Sequence, residues 1–201
     1  LKKYNIFYKL LLILINYQLY MGGNSNMNYA EIKTYDVANG PGIRVSLFVS
    51  GCNHRCPGCF NEQAWDFNYG KIFNNDTIDY IIDTLSFGAY AGVTFLGGEP
   101  LERVNQRGLL PLAKKIKETY PDKTIWCFTG YEFEKDVMAH MYKEWDETKE
   151  LLSYIDVLVD GPFIESLKNP SLVFRGSENQ RLIKIPETLK RGEIVLWEKR
   201  L

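Results

Sequence analysis

The chain has 201 residues, 45% hydrophobic and 24% charged, with a formal net charge of −1. That length suits one domain able to bury a core without disulfide staples, and the composition is that of an ordinary globular protein. The near-neutral charge gives no reason to expect a nucleic-acid or acidic-membrane partner.

Residues 1–26 differ from the rest in being apolar, aromatic and Asn-rich. Their uninterrupted apolar run, 10–15, is far shorter than the roughly 20 residues that cross a bilayer, so no membrane anchor is expected. Lys2, Lys3 and Lys9 give a loose likeness to a signal peptide, but no small-residue cleavage site follows. The preferred reading makes Met27 the true start, 1–26 upstream-translated sequence or a disordered leader, and 27–201 the domain.

Residues 29–35 and 44–50 are predicted strands joined by the turn Asn39-Gly40-Pro41-Gly42. The second is apolar on most of both faces, which suits a central strand. Residues 76–85 are a predicted helix, from the spacing of Ile78, Ile81, Ile82 and Leu85. A buried strand at 92–96 precedes a helix at 109–120 that carries Leu109, Leu112, Ala113 and Ile116 on one face. Then come a strand at 124–128, a helix at 133–142 reaching toward Leu152, and a strand at 155–159. Weaker strand signals lie at 181–185 and 193–197.

Strands alternating with helices predict an α/β fold with a parallel sheet and outer helices. A closed eight-unit barrel needs roughly 250 residues, so the expectation is a partial, open TIM-like barrel. Four unusual segments, 52–59, 97–100, 129–131 and 160–163, each follow one of these strands. Parallel α/β proteins assemble their sites at strand C-terminal ends, which places all four on one rim.

Of four cysteines, three fall within eight residues, in Gly51-Cys52-Asn53-His54-Arg55-Cys56-Pro57-Gly58-Cys59-Phe60. A secreted disulfide framework would be spread along the chain, so a metal site in a reducing, cytoplasmic setting is expected. Thiolates at C-x₃-C-x₂-C spacing can wrap one iron–sulfur cubane. Three ligands for four irons leave one iron open, the mark of a metal site that binds substrate. The competing reading is a non-catalytic zinc-binding module with His54 as fourth ligand. His54 lies too near Cys52 and Cys56 for the usual paired zinc spacing, so spacing favours iron–sulfur. Cys127, inside an apolar strand, is expected to be buried and inert. In Gly97-Gly98-Glu99-Pro100, the two glycines let a ligand approach the backbone, and Glu99 can accept from an ammonium group.

The cysteine triplet and the GGEP segment together resemble the radical S-adenosylmethionine (SAM) superfamily. That resemblance implies one [4Fe–4S] cluster on Cys52, Cys56 and Cys59, whose open iron chelates the amino and carboxylate groups of SAM. The GGEP loop would hold the SAM amino group. The usual pattern has an aromatic residue before the third cysteine, where this chain has Gly58. With Gly40-Pro41-Gly42-Ile43-Arg44, Thr129-Gly130-Tyr131, Asp160-Gly161-Pro162-Phe163 and Phe174-Arg175-Gly176-Ser177, this departure resembles the glycyl-radical-enzyme activating branch. Within that branch it resembles the activating family of anaerobic ribonucleoside-triphosphate reductases. The resemblance implies an oxidoreductase with SAM contacts at Gly58, Cys59, Phe60, Gly97, Gly98, Glu99, Thr129 and Asp160, the last with a turn residue as its plain alternative.

The implied partners are the large subunit of such a reductase and a flavodoxin or ferredoxin type electron donor; a homodimer is left open. Arg44, Arg175, Arg181, Asn179 and Gln180 are candidate partner or carboxylate contacts, and Tyr131 a pocket frame. His54 is a candidate outer donor to the cluster. The nearest rival is an activator of another glycyl-radical enzyme such as pyruvate formate-lyase.

Overall fold

A computed structural model describes residues 27–198; the expected leader 1–26 lies outside them. The strands are β1 (Asn28–Asp36), β2 (Ile43–Val49), β3 (Lys71–Ile72), β4 (Tyr90–Gly97), β5 (Thr124–Phe128), β6 (Val157–Asp160) and β7 (Arg181–Lys184). They form one open sheet in the order β3-β1-β2-β4-β5-β6-β7. The middle four, β2-β4-β5-β6, are parallel, while β1, β3 and β7 pair antiparallel at the two edges. Connection length accounts for the difference, because parallel neighbours need a crossover and antiparallel ones need only a return. A short turn joins β1 to β2, and a loop without a long helix joins β6 to β7. The all-parallel expectation is therefore corrected to a mixed, unclosed α/β sheet.

The crossovers are α1 (Asn75–Leu85), α2 (Arg103–Thr119), and a π-helix (Phe133–Met141) that runs into the turn Tyr142–Glu144 and then α3 (Asp146–Tyr154). Asn74 caps α1 by accepting from the Thr77 amide at 3.0 Å. The single helix expected over 133–152 is broken at Trp145, which is extended. A final helix, α4 (Ile185–Arg191), lies between the two expected strand segments and takes only Ile185 from the first. Residues 193–197 are not a strand, yet they lie against β7 through Lys184 N to Val195 O and Trp197 N to Leu182 O. Among the described residues, no helix is long and apolar enough to cross a membrane.

The main core joins α1, α2, the π-helix and α3 to strand residues such as Leu47, Phe95, Ile125 and Leu158. A smaller cluster of Trp126, Val157, Val159 and Leu182 is closed by Phe128, Phe174 and Trp197, none of them from a helix. Beside it lies Arg44, fully buried at the start of β2. Its guanidinium donates to Thr94 Oγ1 at 2.7 Å, Thr124 Oγ1 at 3.0 Å, Val93 O at 2.6 Å and Thr124 O at 2.9 Å, with the Trp126 ring 5.6 Å away. Burial lowers its pKa to about 10, which leaves it charged at neutral pH. Arg44 was expected to meet a carboxylate or a partner. Instead it rivets β2, β4 and β5 at the end of the sheet away from the cysteines.

Candidate functional site

The four segments singled out in the sequence follow β2, β4, β5 and β6, as expected, and the first three converge. The cysteine loop leaves β2 through Gly51, whose φ of 94° and lack of a side chain admit the Phe67 ring. A Cβ there would lie 2.2 Å from that ring. Its amide and that of Cys52 are held by Ala64 O and Trp65 O. Cys52, Cys56 and Cys59 are all half-buried free thiols. The chain turns between them with positive φ at Arg55 (48°) and Gly58 (71°). Cys59 N donates to Cys56 O at 3.1 Å, and Cys59 Sγ accepts from Asn61 N at 3.4 Å. Burial pushes the Cys52 thiol up to about 11 and raises Cys56, which also feels Cys59.

This donor set fits a cubane. The thiols share one short loop, and amide donation to a ligating sulfur is one of the levers that tune such clusters. Among the described residues, no three His, Cys, Asp or Glu side chains converge to hold a single metal ion. A cubane asks for a wider spread, since each thiolate takes its own iron.

The loop after β4 packs directly on the cysteine loop. Gly97 has φ 107° and passes close to Phe48, and Gly98 lies so near that a Cβ would sit 2.7 Å from Gly51 O and 2.9 Å from Ala64 O. Both obstacles are backbone, so Gly98→Ala should force the two loops apart. A misplacement near 1 Å can cost about a hundredfold in rate. Any reaction that the two loops support together is expected to fall by about that factor while the melting temperature, read by circular dichroism, stays within a few degrees.

Glu99 is 1% exposed and fully engaged. Its Oε1 accepts from Leu101 N and Thr129 Oγ1, each at 2.8 Å, and its Oε2 from Gly130 N at 2.7 Å and His54 Nε2 at 3.0 Å. Thr129 therefore meets Glu99, as its place on the rim implied. The expected ammonium contact at Glu99 finds the carboxylate already occupied by the protein's own donors. Phe60 is 89% exposed and lines a shallow groove with Phe48, Asn61 and Tyr69, so its ring faces outward. Gly58 faces the Glu165 carboxylate, which would lie 3.2 Å from a Cβ there. The Gly58 φ of 71° is one that side-chain-bearing residues rarely adopt.

Asp160 is the last residue of β6. Its carboxylate is buried and accepts from Phe133 N at 2.9 Å and from both Nε and Nη2 of Arg181. Both oxygens are thus hydrogen-bonded within the protein. Arg181 also holds Glu134 with contacts of 3.0 and 2.6 Å, and this hydrogen bonding keeps the Glu134 carboxyl below its ordinary value of 4.5. A carboxylate with a lowered folded pKa contributes stability that is present above its ordinary value and is lost as pH falls through the folded one. Urea unfolding should therefore separate Glu134→Gln from the parent at pH 7, with the gap narrowing as the pH falls below the ordinary carboxyl value. Asn179 and Gln180 brace the loop before β7 through Pro162 O, Gly161 O and the Gly176 amide. They serve the loop's own fold.

Sequence reasoning passed over Asn105 and Glu102. Asn105 is fully buried, and its Nδ2 faces Ser50 O at 3.0 Å, Gly51 O at 3.3 Å and Glu99 O at 2.9 Å. It ties the ends of β2 and β4 to α2. The available signal was a polar residue four positions ahead of Leu109, on the face that the helix buries. Glu102 Oε1 accepts from Asn53 N and Asn53 Nδ2, at 3.1 and 2.9 Å.

The chain is also similar to known proteins. A family profile described as a 4Fe-4S single cluster domain matches residues 38–183. A relative from Haemophilus influenzae is 43% identical over 157 residues, covering 77% of this chain and 96% of its own. One from Escherichia coli K12 is 41% identical over 156 residues, with the same coverage. One from Enterobacteria phage T4 is 40% identical over 156 residues, covering 78% and 93%. All three bear the name anaerobic ribonucleoside-triphosphate reductase-activating protein.

Proposed function

Because the chain belongs to the family of anaerobic ribonucleoside-triphosphate reductase-activating proteins, we propose that it activates such a reductase by placing a glycyl radical on its large subunit. The observation that carries this reading is that the loop bearing three free thiols packs, through Gly51 and His54, against Gly98 and Glu99. When bound, a [4Fe–4S] cluster supplies the electron that splits SAM into methionine and a 5′-deoxyadenosyl radical, which takes a hydrogen atom from a glycine Cα of the reductase. A flavodoxin or ferredoxin type donor would provide that electron, in the cytoplasm. The open sheet would serve as the partial barrel of a radical SAM domain spanning 27–201.

The chain's own residues would divide the work around that chemistry. Cys52, Cys56 and Cys59 hold the cluster and give up their protons on ligation. Gly97 and Gly98 leave the backbone bare of side chains at the rim, so the methionine end of SAM can approach it. Glu99 and Thr129 fix the shape of that backbone. Gly58 keeps space beside the third thiol, and Phe60 offers an exposed ring at the mouth. Asp160, engaged by Arg181, is left out of the proposed SAM site.

The test mixes the anaerobically reconstituted protein with the reductase large subunit, SAM, nucleotide and a low-potential reductant. A glycyl-radical signal in electron paramagnetic resonance (EPR) that depends on all components is expected. SAM cleavage without that signal would reassign the partner to another glycyl-radical enzyme.

A further inference from the structure

His54 sits between two proposed ligands, yet its side chain turns away to a place built for it. Nε2 lies 3.0 Å from Glu99 Oε2, and a carboxylate only accepts, so this nitrogen carries the proton. The Tyr131 ring packs on the imidazole with centroids 4.3 Å apart. Gly130 closes the socket, since a Cβ there would lie 2.8 Å from both His54 Cδ2 and Nε2. Gly130 is not among the residues at positive φ, so space for the imidazole, and not backbone freedom, is what its missing side chain provides. Loops following β2, β4 and β5 thus meet on one ring.

We propose that His54 is a positioning residue: seated against Glu99, Gly130 and Tyr131, it clamps the thiol loop to the loops after β4 and β5, ordering the loop before a cluster arrives and keeping it aligned with the GGEP backbone. The proposal rests on the reading of that loop as the cluster-binding loop. The Asn53 contacts to Glu102 are a second tie, but they are exposed and short of the buried end of Glu99. Glu99 then acts through the scaffold: one buried carboxylate gathers donors from three chain segments.

The experiment compares His54→Ala, His54→Gln and Gly130→Ala in the full chain. Hydrogen exchange is read on residues 52–59 before and after anaerobic reconstitution with ferrous iron and sulfide. A hydrogen bond to a charged group is worth about ten- to hundredfold in such an opening equilibrium, so His54→Ala should speed exchange by that factor and slow iron uptake. The SAM concentration that half-shifts the EPR signal of the reduced cluster should rise by about tenfold or more. Glutamine, whose amide can replace the Nε2 donor, should restore all three readings to within about threefold. Gly130→Ala, which leaves His54 in place but fills its socket, should reproduce the alanine effect and add nothing in a His54→Ala background. Unchanged exchange in His54→Ala, no rescue by glutamine, or the same Gly130→Ala cost in both backgrounds would overturn the proposal. If the parent chain takes up no iron, the cluster reading fails separately, and the exchange comparison still decides the role of His54.

Discussion

Replacing Cys56 by serine is expected to abolish the iron chromophore and to lower glycyl-radical yield by roughly a hundredfold or more. Losing even an outer partner of a metal ligand costs about 10–100-fold, and a ligand should cost no less. Cys52→Ser and Cys59→Ser should behave alike, because in the proposed cluster each thiol would serve its own iron. Cys127→Ser is the contrast. Cys127 is fully buried in β5, where burial holds its thiol well above the ordinary value. Serine there places a hydroxyl in apolar surroundings, which lowers stability but leaves the iron content of the reconstituted protein intact. Iron analysis and absorbance of the four variants decide the matter. A Cys56→Ser protein that kept its chromophore would remove the loop from the chemistry.

The largest effect on stability is expected at Gly92. Its φ is 151°, and a Cβ there would lie 1.9 Å from Thr124 O. That same oxygen accepts from the Arg44 guanidinium at 2.9 Å. Gly92→Ala thus strains its own backbone, pushes β5 off β4, and leaves a buried cation short of an acceptor. Strain and overpacking each cost about 1–3 kcal/mol. For a chain of this size, each kcal/mol moves the melting temperature by roughly 2–4 °C, so a fall of about 5–15 °C is expected in calorimetry. A shift under about 2 °C would mean that the β4–β5 pairing absorbs the methyl group, contrary to the geometry described.

The parallel middle of the sheet was legible because β2, β4, β5 and β6 are apolar runs, each followed by residues that no strand needs, such as Cys52 or Gly97-Gly98. α1 was legible from Ile78, Ile81, Ile82 and Leu85, all buried. The first turns of α2 were not, since Asn105 and Gln106 occupy its buried side and periodicity reads polar residues as outward. Their partners, Ser50 O, Glu99 O and Leu101 O, are fixed only by the tertiary fold. α4 was missed although it carried Pro186 at its start and Gly192, φ 73°, at its end. Both are recognised punctuation, overridden here by the apolar residues on either side. In the site, the three thiols and the GGEP loop could be found from residue type and spacing. The roles of Glu99 and Asp160 could not, because a carboxylate's partner depends on which loops fold against it. Arg181, twenty-one residues beyond Asp160, is such a partner.

The most direct test of the central claim is the EPR spectrum of the reduced, anaerobically reconstituted protein recorded before and after SAM is added. With three thiolates holding about four irons per chain, the signal should be that of a single [4Fe–4S] cluster and should change shape on addition of SAM. A protein that bound zinc without iron, or a cluster signal indifferent to saturating SAM, would contradict it.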